Sequence, residues 1–347
     1  MLRGSTSVKR RLATALLLGW AGTASSPLIA QTMRENMHLP ADAAQTRSIS
    51  PSWENARPDS SDVRPKVVGG DPAKPQEFPW QVALILASSP KEDPFRGVFC
   101  GGTLVASRWI LTAAHCTYES DPRSATLPPV EMAPERIDVY VGSIDFAHGQ
   151  RIKITKIVRH QYNRRTKDND LALLELSTEP SADYRTGIIK PSRRAGQFAR
   201  VVGWGSTEGG ILPPAFRKSA DHLISAELSF KDSYECNRFY VQDRRKKLSD
   251  LLVLQGKSQD ELRETLDKWM PLSTVLVTDN MFCAGTDGKQ DACFGDSGGP
   301  LVIKSQDGYR QVGIVSWGPD EGCGLTNLNG VYVNLEVYLD WMSQIIN

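Results

Sequence analysis

The chain has 347 residues, of which 41 are Lys or Arg and 40 are Asp or Glu, so its formal net charge at pH 7 is +1. This balanced charge gives no electrostatic indication of a nucleic-acid partner, and the Cys and His residues do not follow the spacing of a zinc site. The length is sufficient for two ordinary domains, each with a buried core.

Residues 1–30 are predicted to be a secretory signal peptide. Basic residues up to Arg11 precede an apolar run from Leu12 to Ala21, and small residues follow. The run is too short to span a bilayer, and no membrane anchor is expected. Cleavage after Ala24 and cleavage after Ala30 both fit the pattern. We expect ordinary secretion to the medium or the periplasm rather than twin-arginine export.

Residues 31–66 are predicted to be a propeptide. They are rich in Pro, Ser, Asp, Asn and Arg and show neither helical nor strand periodicity, which is typical of a disordered segment. The segment ends at Lys66, directly before Val67-Val-Gly-Gly70.

Residues 67–347 are predicted to form the folded domain, and from Trp80 onward the pattern is all-β. Short runs of apolar and β-branched residues alternate with turn signals, without intervening helices, as in a barrel or sandwich. The clearest runs are Gln81–Leu86, Arg136–Val141, Ile152–Val158 and Gln311–Ser316. Near the end, apolar residues at positions 337, 341 and 345 predict one face of a C-terminal helix against a barrel.

The stretch Gly295-Asp-Ser-Gly-Gly299 places Ser297 between glycines, where a tight turn exposes a hydroxyl and bare N–H groups. Serine is a poor nucleophile and needs a base and a third group that orients the base. His115 and Asp170 are the upstream candidates. The stretch also fits a G-x-S-x-G elbow, but that site requires a histidine after the serine, and the last histidine is His222.

The order His115, Asp170, Ser297 and the residues around each resemble the trypsin/chymotrypsin family of serine endopeptidases. The resemblance runs from about Val67 to the C-terminus and includes Val67–Gly70, Pro79–Val82, Cys100–Leu104, Gly203–Gly205, Ser316–Gly318, Gly330–Tyr332 and Trp341. It implies two six-stranded antiparallel β-barrels, over about 67–190 and 190–335, with the active site at their junction and a C-terminal helix.

The resemblance also implies catalytic roles. Ser297 would attack the scissile carbonyl, His115 would accept and return the proton, and Asp170 would orient the imidazole. The backbone N–H groups of Gly295 and Ser297 would form the oxyanion hole. Taken singly, each residue has a simpler interpretation, as a buried histidine, a turn-capping aspartate or a loop serine.

In the resemblance, the substrate pocket has Asp291 at its floor and Gly318 and Gly330 in its walls, with Ser316 beside extended substrate. An aspartate at this position implies cleavage after Arg or Lys. The alternative is that Asp291 is an exposed loop residue. Phe294 and a longer segment from Gly318 to Cys323 depart from the family pattern and leave the choice between Arg and Lys open.

Activation is implied to follow cleavage after Lys66. The new ammonium group of Val67 would pair with Asp296, because a buried carboxylate is costly unless it has a partner. Lys66 is a residue after which the enzyme itself would cut, so self-activation is one route.

Spacing alone leaves many pairings of the six cysteines open. The resemblance selects Cys100–Cys116, Cys236–Cys283 and Cys293–Cys323.

The segment between Cys236 and Cys283 is longer than in a compact family member. Within residues 237–280, Asp260–Trp269 is predicted to be an amphipathic helix with Leu262, Leu266 and Trp269 on one face. The insertion is interpreted either as a surface for a protein partner or as a decoration that packs on the barrel.

No cofactor and no metal are expected. The family's calcium loop is shortened at Gly142–Gly149, and Ser143 stands where a carboxylate ligand is expected.

The predicted function is a secreted zymogen of a serine endopeptidase that cuts protein or peptide substrates after Arg or Lys through an acyl-enzyme. Two alternatives remain: a catalytically silent binding protein on the same fold, and a narrowly restricted regulatory protease.

Overall fold

A computed structural model describes residues 69–91, 97–119, 128–142, 149–181, 197–206, 222–286, 288, 290–306 and 308–346. The predicted signal peptide, the propeptide, Lys66, Val67 and most of the shortened loop at 142–149 lie outside the described residues. Nearly all described residues belong to one compact unit, Arg64–Glu119 with Glu131–Asn347. The other unit is Met1–Val63 with Ser120–Val130, of which only residues 128–130 are described.

Six antiparallel strands form the first closed barrel. The strands are β2 Gln81–Leu86, β3 Val98–Ala106, β4 Trp109–Thr112, β7 Ile137–Val141, β8 Gln150–Arg159 and β9 Ala172–Leu176. Three of them, β2, β7 and β8, correspond to apolar runs named from the sequence. Their order around the barrel is β2-β3-β4-β9-β8-β7. Arg136, predicted to begin a strand, lies instead in the 3₁₀ turn Pro134–Arg136.

The second barrel is also six-stranded and antiparallel. Its strands are β10 Phe198–Gly203, β11 Ile224–Phe230, β12 Met281–Gly285, β13 Pro300–Ser305, β14 Gly308–Trp317 and β15 Gly330–Asn334. The order β11-β10-β13-β14-β15-β12 is closed by pairing of β11 with β12. The all-β prediction of two six-stranded barrels is therefore confirmed.

Short elements connect the barrels' strands. Strand β1, Asp71–Pro72, pairs with β11 of the second barrel although it precedes the first barrel in the chain. A 3₁₀ turn, Ala114–Thr117, follows β4 and carries His115. Two further short strands are β5 Tyr118–Glu119 and β6 Val130–Glu131.

The insertion contains two helices, of which the sequence predicted only the second. Helix α1, Ser233–Leu254, begins at Asp232, whose side chain accepts a hydrogen bond from the Glu235 N–H. Helix α2, Gln259–Trp269, begins one residue before its predicted start, at a capping box of Ser258 and Glu261. Leu262 is buried in α2 and Leu266 is partly buried, whereas Trp269, predicted on the same face, is 54% exposed.

The C-terminal helix is present, but its buried face is partly different from the predicted one. A 3₁₀ turn at Leu335–Tyr338 precedes helix α3, Leu339–Ile346. Because a 3₁₀ turn has about 3.0 rather than 3.6 residues per turn, the face rotates along this segment. Val337 is consequently 49% exposed, while Tyr338 and Met342 are buried with the residues of the first barrel's core.

The two barrels meet at the loop that carries Ser297. The Gly101 N–H on β3 donates to the Ser297 carbonyl oxygen at 2.7 Å. Gly298 has a φ of +79°, and a Cβ there would lie 2.3 Å from Thr112 Oγ1 and 2.6 Å from the Gly101 carbonyl oxygen. Only glycine fits this close approach of the loop to the first barrel. In the described ranges, no helix is long and apolar enough to cross a bilayer.

Candidate active site

His115 and Asp170 come together at the edge of the first barrel. Asp170 precedes β9 and is buried, with 1% of its surface exposed. Its Oδ1 accepts the His115 backbone N–H at 2.8 Å, and its Oδ2 lies 2.7 Å from His115 Nδ1. Because the carboxylate contacts both the backbone and the ring of His115, it fixes the orientation of the imidazole and leaves Nε2 as the ring nitrogen away from Asp170.

Ser316 of the second barrel completes the surroundings of Asp170. Its hydroxyl donates to Asp170 Oδ2 at 2.6 Å and is buried at the end of β14. The resemblance implied a role for Ser316 beside extended substrate, but this side-chain hydrogen bond was not predicted. It requires the strand end of one barrel to face a loop of the other, which no local sequence pattern reveals.

Ser297 lies half-buried in the loop between β12 and β13. Ser297 and His115 line the same cavity, which is described below. In this loop Gly295 has a φ of +100°, a conformation that non-glycine residues rarely adopt. The Gly298 N–H donates to the Val315 carbonyl oxygen at 2.8 Å. By contrast, within the described part of the chain the N–H groups of Gly295 and Ser297 donate to no backbone acceptor.

Asp296, the residue before Ser297, is fully buried and does not line the cavity that Ser297 lines. Its Oδ1 accepts the Gly205 N–H at 2.8 Å and its Oδ2 accepts the Cys293 N–H at 2.9 Å. Burial raises the pKa of Asp296 to about 6, and the two backbone donors oppose the shift. A buried carboxylate with backbone partners alone remains expensive in its charged form.

Asp291 lies at the base of the same cavity as Ser297 and is 2% exposed. Its Oδ2 accepts the Gly324 N–H at 3.1 Å, whereas its Oδ1 has no hydrogen-bond partner among the described residues. Burial raises the pKa of Asp291 to about 7, against the effect of backbone N–H groups of Gly324, Ala292 and Gly330. The alternative of an exposed loop aspartate is therefore excluded by its burial.

The cavity has a volume of about 440 Å³ and brings together six of the predicted catalytic and substrate-binding residues. It is lined by His115, Asp291, Ser297, Ser316, Gly318 and Gly330. A Cβ on Gly318 would meet no atom within 4 Å, so this wall is open, whereas a Cβ on Gly330 would lie 3.0 Å from Asp291 Oδ1. The two departures from the family pattern, Phe294 and the longer 318–323 segment, also line the cavity.

Three disulfides join Cys100 to Cys116, Cys236 to Cys283 and Cys293 to Cys323, the pairing that the resemblance implied. The first lies beside His115 and the third lines the cavity near Ser297. In the described ranges, one group has the spacing of metal ligands, namely Cys100, His115 and Cys116. Because its two sulfurs are bonded to each other, they are not thiolate ligands.

Tyr240, four residues after Cys236, is a further residue of the site that the sequence did not indicate. It is buried in helix α1, and its hydroxyl donates to the Asn329 carbonyl oxygen at 2.6 Å. Its ring packs edge-to-face on Trp317, with ring centroids 4.8 Å apart. The spacing from Cys236 could have indicated this residue. In a helix, a tyrosine four residues after a disulfide cysteine lies on the same face as that buried cysteine.

Comparison with known proteins agrees with this arrangement. The family described as Trypsin matches residues 67–342. Tryptase from Mus musculus is 30% identical over 305 residues, which are 86% of this chain and 94% of the tryptase. Serine protease 41 from Homo sapiens is 30% identical over 299 residues, which are 82% of this chain and 78% of that protein.

A larger relative is matched over only part of its length. Vitamin K-dependent protein C from Oryctolagus cuniculus is 30% identical over 297 residues, which are 81% of this chain and 52% of protein C. The similarity to this relative therefore concerns about half of that protein.

Proposed function

Because the chain belongs to the trypsin family and is a serine endopeptidase, we propose that it cuts peptide bonds on the carboxyl side of Arg or Lys. One observation carries the proposal: the cavity that contains His115 and Ser297 has a buried carboxylate, Asp291, at its base. Its substrates are proteins or peptides that present a long cationic side chain to this cavity.

The proposed reaction uses Ser297 as the nucleophile. As Ser297 Oγ attacks the scissile carbonyl carbon, His115 Nε2 accepts the hydroxyl proton, and Asp170 stabilises the imidazolium that forms. The protonated His115 then delivers the proton to the leaving amine, which departs and leaves an acyl-enzyme. Water attacks the ester with His115 again as the base, and the released acid regenerates Ser297.

The N–H groups of Gly295 and Ser297 are proposed to stabilise the negative charge on the tetrahedral oxygen. Two observations support this role: both groups lack a backbone acceptor in the described part of the chain, and the +100° φ of Gly295 orients the turn. Each such donor is worth about 3 kcal/mol of transition-state stabilisation.

Selectivity for Arg or Lys is proposed to arise from the desolvated carboxylate. An apolar substrate side chain would leave Asp291 buried without a counter-ion, whereas a guanidinium or ammonium group would pair with the vacant Oδ1. A site built in this way rejects a ligand that lacks the matching polar group by a large factor. The open wall at Gly318 supports the passage of a long side chain.

The chain is further proposed to be a secreted zymogen. The 1–30 segment would direct export, and cleavage after Lys66 would free the Val67 ammonium group to pair with Asp296. The support is the buried Asp296 carboxylate, whose pKa is raised by burial and whose hydrogen-bond partners among the described residues are backbone N–H groups. The three disulfides are consistent with an oxidising compartment.

The experiment that tests cleavage uses a chain beginning at Val67 and paired small amide substrates ending in Arg, Lys or Phe. We expect hydrolysis after Arg and Lys that disappears in Ser297→Ala and is strongly reduced in Asp291→Asn. Hydrolysis only after Phe would contradict the role of Asp291. A folded chain with Val67 at its terminus that cleaves none of them would favour the silent binding protein.

Activation is tested separately with the full chain. Lys66→Gln should prevent conversion to the active form, whereas the chain produced with Val67 at its terminus should need no cleavage. Equal activity of Lys66→Gln and the unaltered full chain, with the 66–67 bond intact in both, would contradict the zymogen proposal.

A further inference from the structure

Helix α1 of the insertion lies directly behind the wall of the substrate cavity. Tyr240 contacts Trp317 through its ring and Asn329 through its hydroxyl, and Asn329 precedes the wall residue Gly330. The disulfide of Cys236 also ties the start of the helix to β12. The insertion is thus in contact with the substrate-binding part of the second barrel.

An ion cluster extends this contact one to two turns further along α1. Lys247 Nζ lies 2.8 Å from Asp243 Oδ2 on the same helix and 2.7 Å from Glu321 Oε1 in the segment that follows β14. The same Nζ is 3.5 Å from Asp320 Oδ2, and Arg244 is 3.9 Å from that oxygen. We call these five residues the α1 clamp.

The clamp is partly shielded from water. The side chains of Lys247 and Asp243 are 33% and 17% exposed and that of Glu321 is 39% exposed, so salt screens these contacts less than on an open surface, whereas Asp320 is 69% exposed and its contacts are screened more. The neighbouring Lys246 differs: it pairs with Asp250 at 2.8 Å within the helix and is 76% exposed. Such an exposed pair contributes little to structure.

The acidic end of the clamp belongs to the mouth of the cavity. Pro319, Asp320 and Gly322 line the same cavity as His115 and Ser297. In the part of the chain that the structure describes, Asp320 and Glu321 form ion pairs with Arg244 and Lys247 alone. The segment's own backbone hydrogen bond, from the Gly322 N–H to the Pro319 carbonyl, is long at 3.4 Å. The segment is fixed at its two ends by strand β14, which runs to Trp317, and by the disulfide of Cys323, and between these ends helix α1 holds its acidic side chains.

We propose that Lys247 is a positioning residue that holds the 318–322 segment at the mouth of the cavity and thereby sets the affinity for the substrate. The inference rests on the proposed function, because it concerns the same cavity. Lys247 does not line the cavity and acts through Glu321 and Asp320. Its loss should therefore weaken substrate binding without altering the groups that react at Ser297.

The test compares Lys247→Met with Lys246→Met, which removes the adjacent charge but leaves the clamp intact. With the chain beginning at Val67 and an extended Arg-amide substrate, Lys247→Met should raise KM about fivefold and change kcat less than about twofold. Lys246→Met should match the wild type, and Lys247→Arg should restore most of the affinity. High salt should reduce the KM ratio between Lys247→Met and the wild type.

Hydrogen exchange of the 318–322 segment gives a second measurement that does not require activity. Faster exchange in Lys247→Met, and not in Lys246→Met, is the expected result. Equal exchange and equal KM in the two variants would overturn the clamp. A wild-type chain that cleaves no peptide would overturn the proposed function instead, and equal exchange in the two variants would still overturn the clamp in that case.

Discussion

The hydroxyl of Ser316 donates a hydrogen bond of 2.6 Å to Asp170 Oδ2, the same oxygen that lies 2.7 Å from His115 Nδ1. Asp170 belongs to the first barrel and Ser316 to the second, so this hydrogen bond crosses the junction. The Asp170 carboxylate, which orients the imidazole, is therefore held by contacts with both barrels.

Replacing Ser316 by alanine should therefore reduce catalysis. A hydrogen bond to a charged group is worth about 1.5–3 kcal/mol, so we expect Ser316→Ala to lower kcat/KM for an Arg-amide substrate about tenfold. Ser229→Ala is the matched control, because Ser229 is a part-buried serine of the second barrel whose hydroxyl donates to the Gly285 carbonyl oxygen and not to a group near His115. Unchanged kcat/KM in Ser316→Ala would show that the hydrogen bond does not contribute to orienting the site.

Gly295 should be irreplaceable for catalysis rather than only for folding. Its φ of +100° strains any other residue, and a Cβ would lie 3.1 Å from Gly205 Cα. We expect Gly295→Val to lower kcat by about 10²–10³-fold, because the turn that presents the N–H groups is distorted.

The matched control is Gly308→Val. Gly308, the first residue of β14, has a φ of +106°, and a Cβ there would meet nothing within 4 Å. A valine at this position would therefore suffer similar backbone strain without a steric clash. The Gly308→Val variant should have a lower Tm in thermal unfolding but an unchanged kcat. An equal loss of kcat in the two variants would assign the effect to general strain.

Binding of a cation in the cavity should depend on pH through Asp291. Burial raises the pKa of Asp291 to about 7, so the empty cavity holds a neutral acid below that pH. A bound amidinium favours the ionised form, and binding therefore releases a proton. The affinity for benzamidine should fall by about tenfold per pH unit below pH 7 and level off above it.

Calorimetric titration between pH 5 and about 9 measures this dependence. The measurement is made in the His115→Ala background, because the imidazole also lines the cavity. In Asp291→Asn the affinity should be weak and should not vary with pH. A pH-independent affinity in the presence of Asp291 would show that the carboxylate is already ionised in the empty cavity.

Tyr240 should stabilise the cavity wall from the insertion. Tyr240→Phe removes the donor to the Asn329 carbonyl oxygen and leaves that buried oxygen unpaired. The free energy of unfolding should fall by about 1–3 kcal/mol in urea titration. Tyr234→Phe on the same helix is the control, since Tyr234 is 77% exposed and its loss should be neutral. Equal stability of the two variants would refute the structural role.

Local patterns were sufficient where a residue's role depends on its own turn or strand. The strand over Gln81–Leu86 agrees with the sequence to the residue, because its side chains are buried on a closed barrel and the apolar run has no competing period. Asp291 and Ser297 were identified six residues apart in one loop, and the structure places both in one cavity.

Other features depend on contacts that are distant in the chain. Val337 was expected on a buried face, but a 3₁₀ turn rotates it toward solvent, and Trp269 is exposed although it was expected on the same face as the buried Leu262. Helix α1 was missed because its charged residues gave no clear apolar stripe. Two of its cations, Arg244 and Lys247, pair with acids 73 or more positions away, in the 318–323 segment.

The sequence by itself determined the family resemblance and several of the barrel strands, and it selected His115, Asp170, Ser297 and Asp291 as candidate site residues, because each is encoded within a short segment. Only the tertiary structure decided which groups surround them. Ser316 reaches Asp170 and Tyr240 supports Trp317 because two barrels and an inserted helix close on one cavity. Such contacts join residues more than 70 positions apart, and no local periodicity carries them.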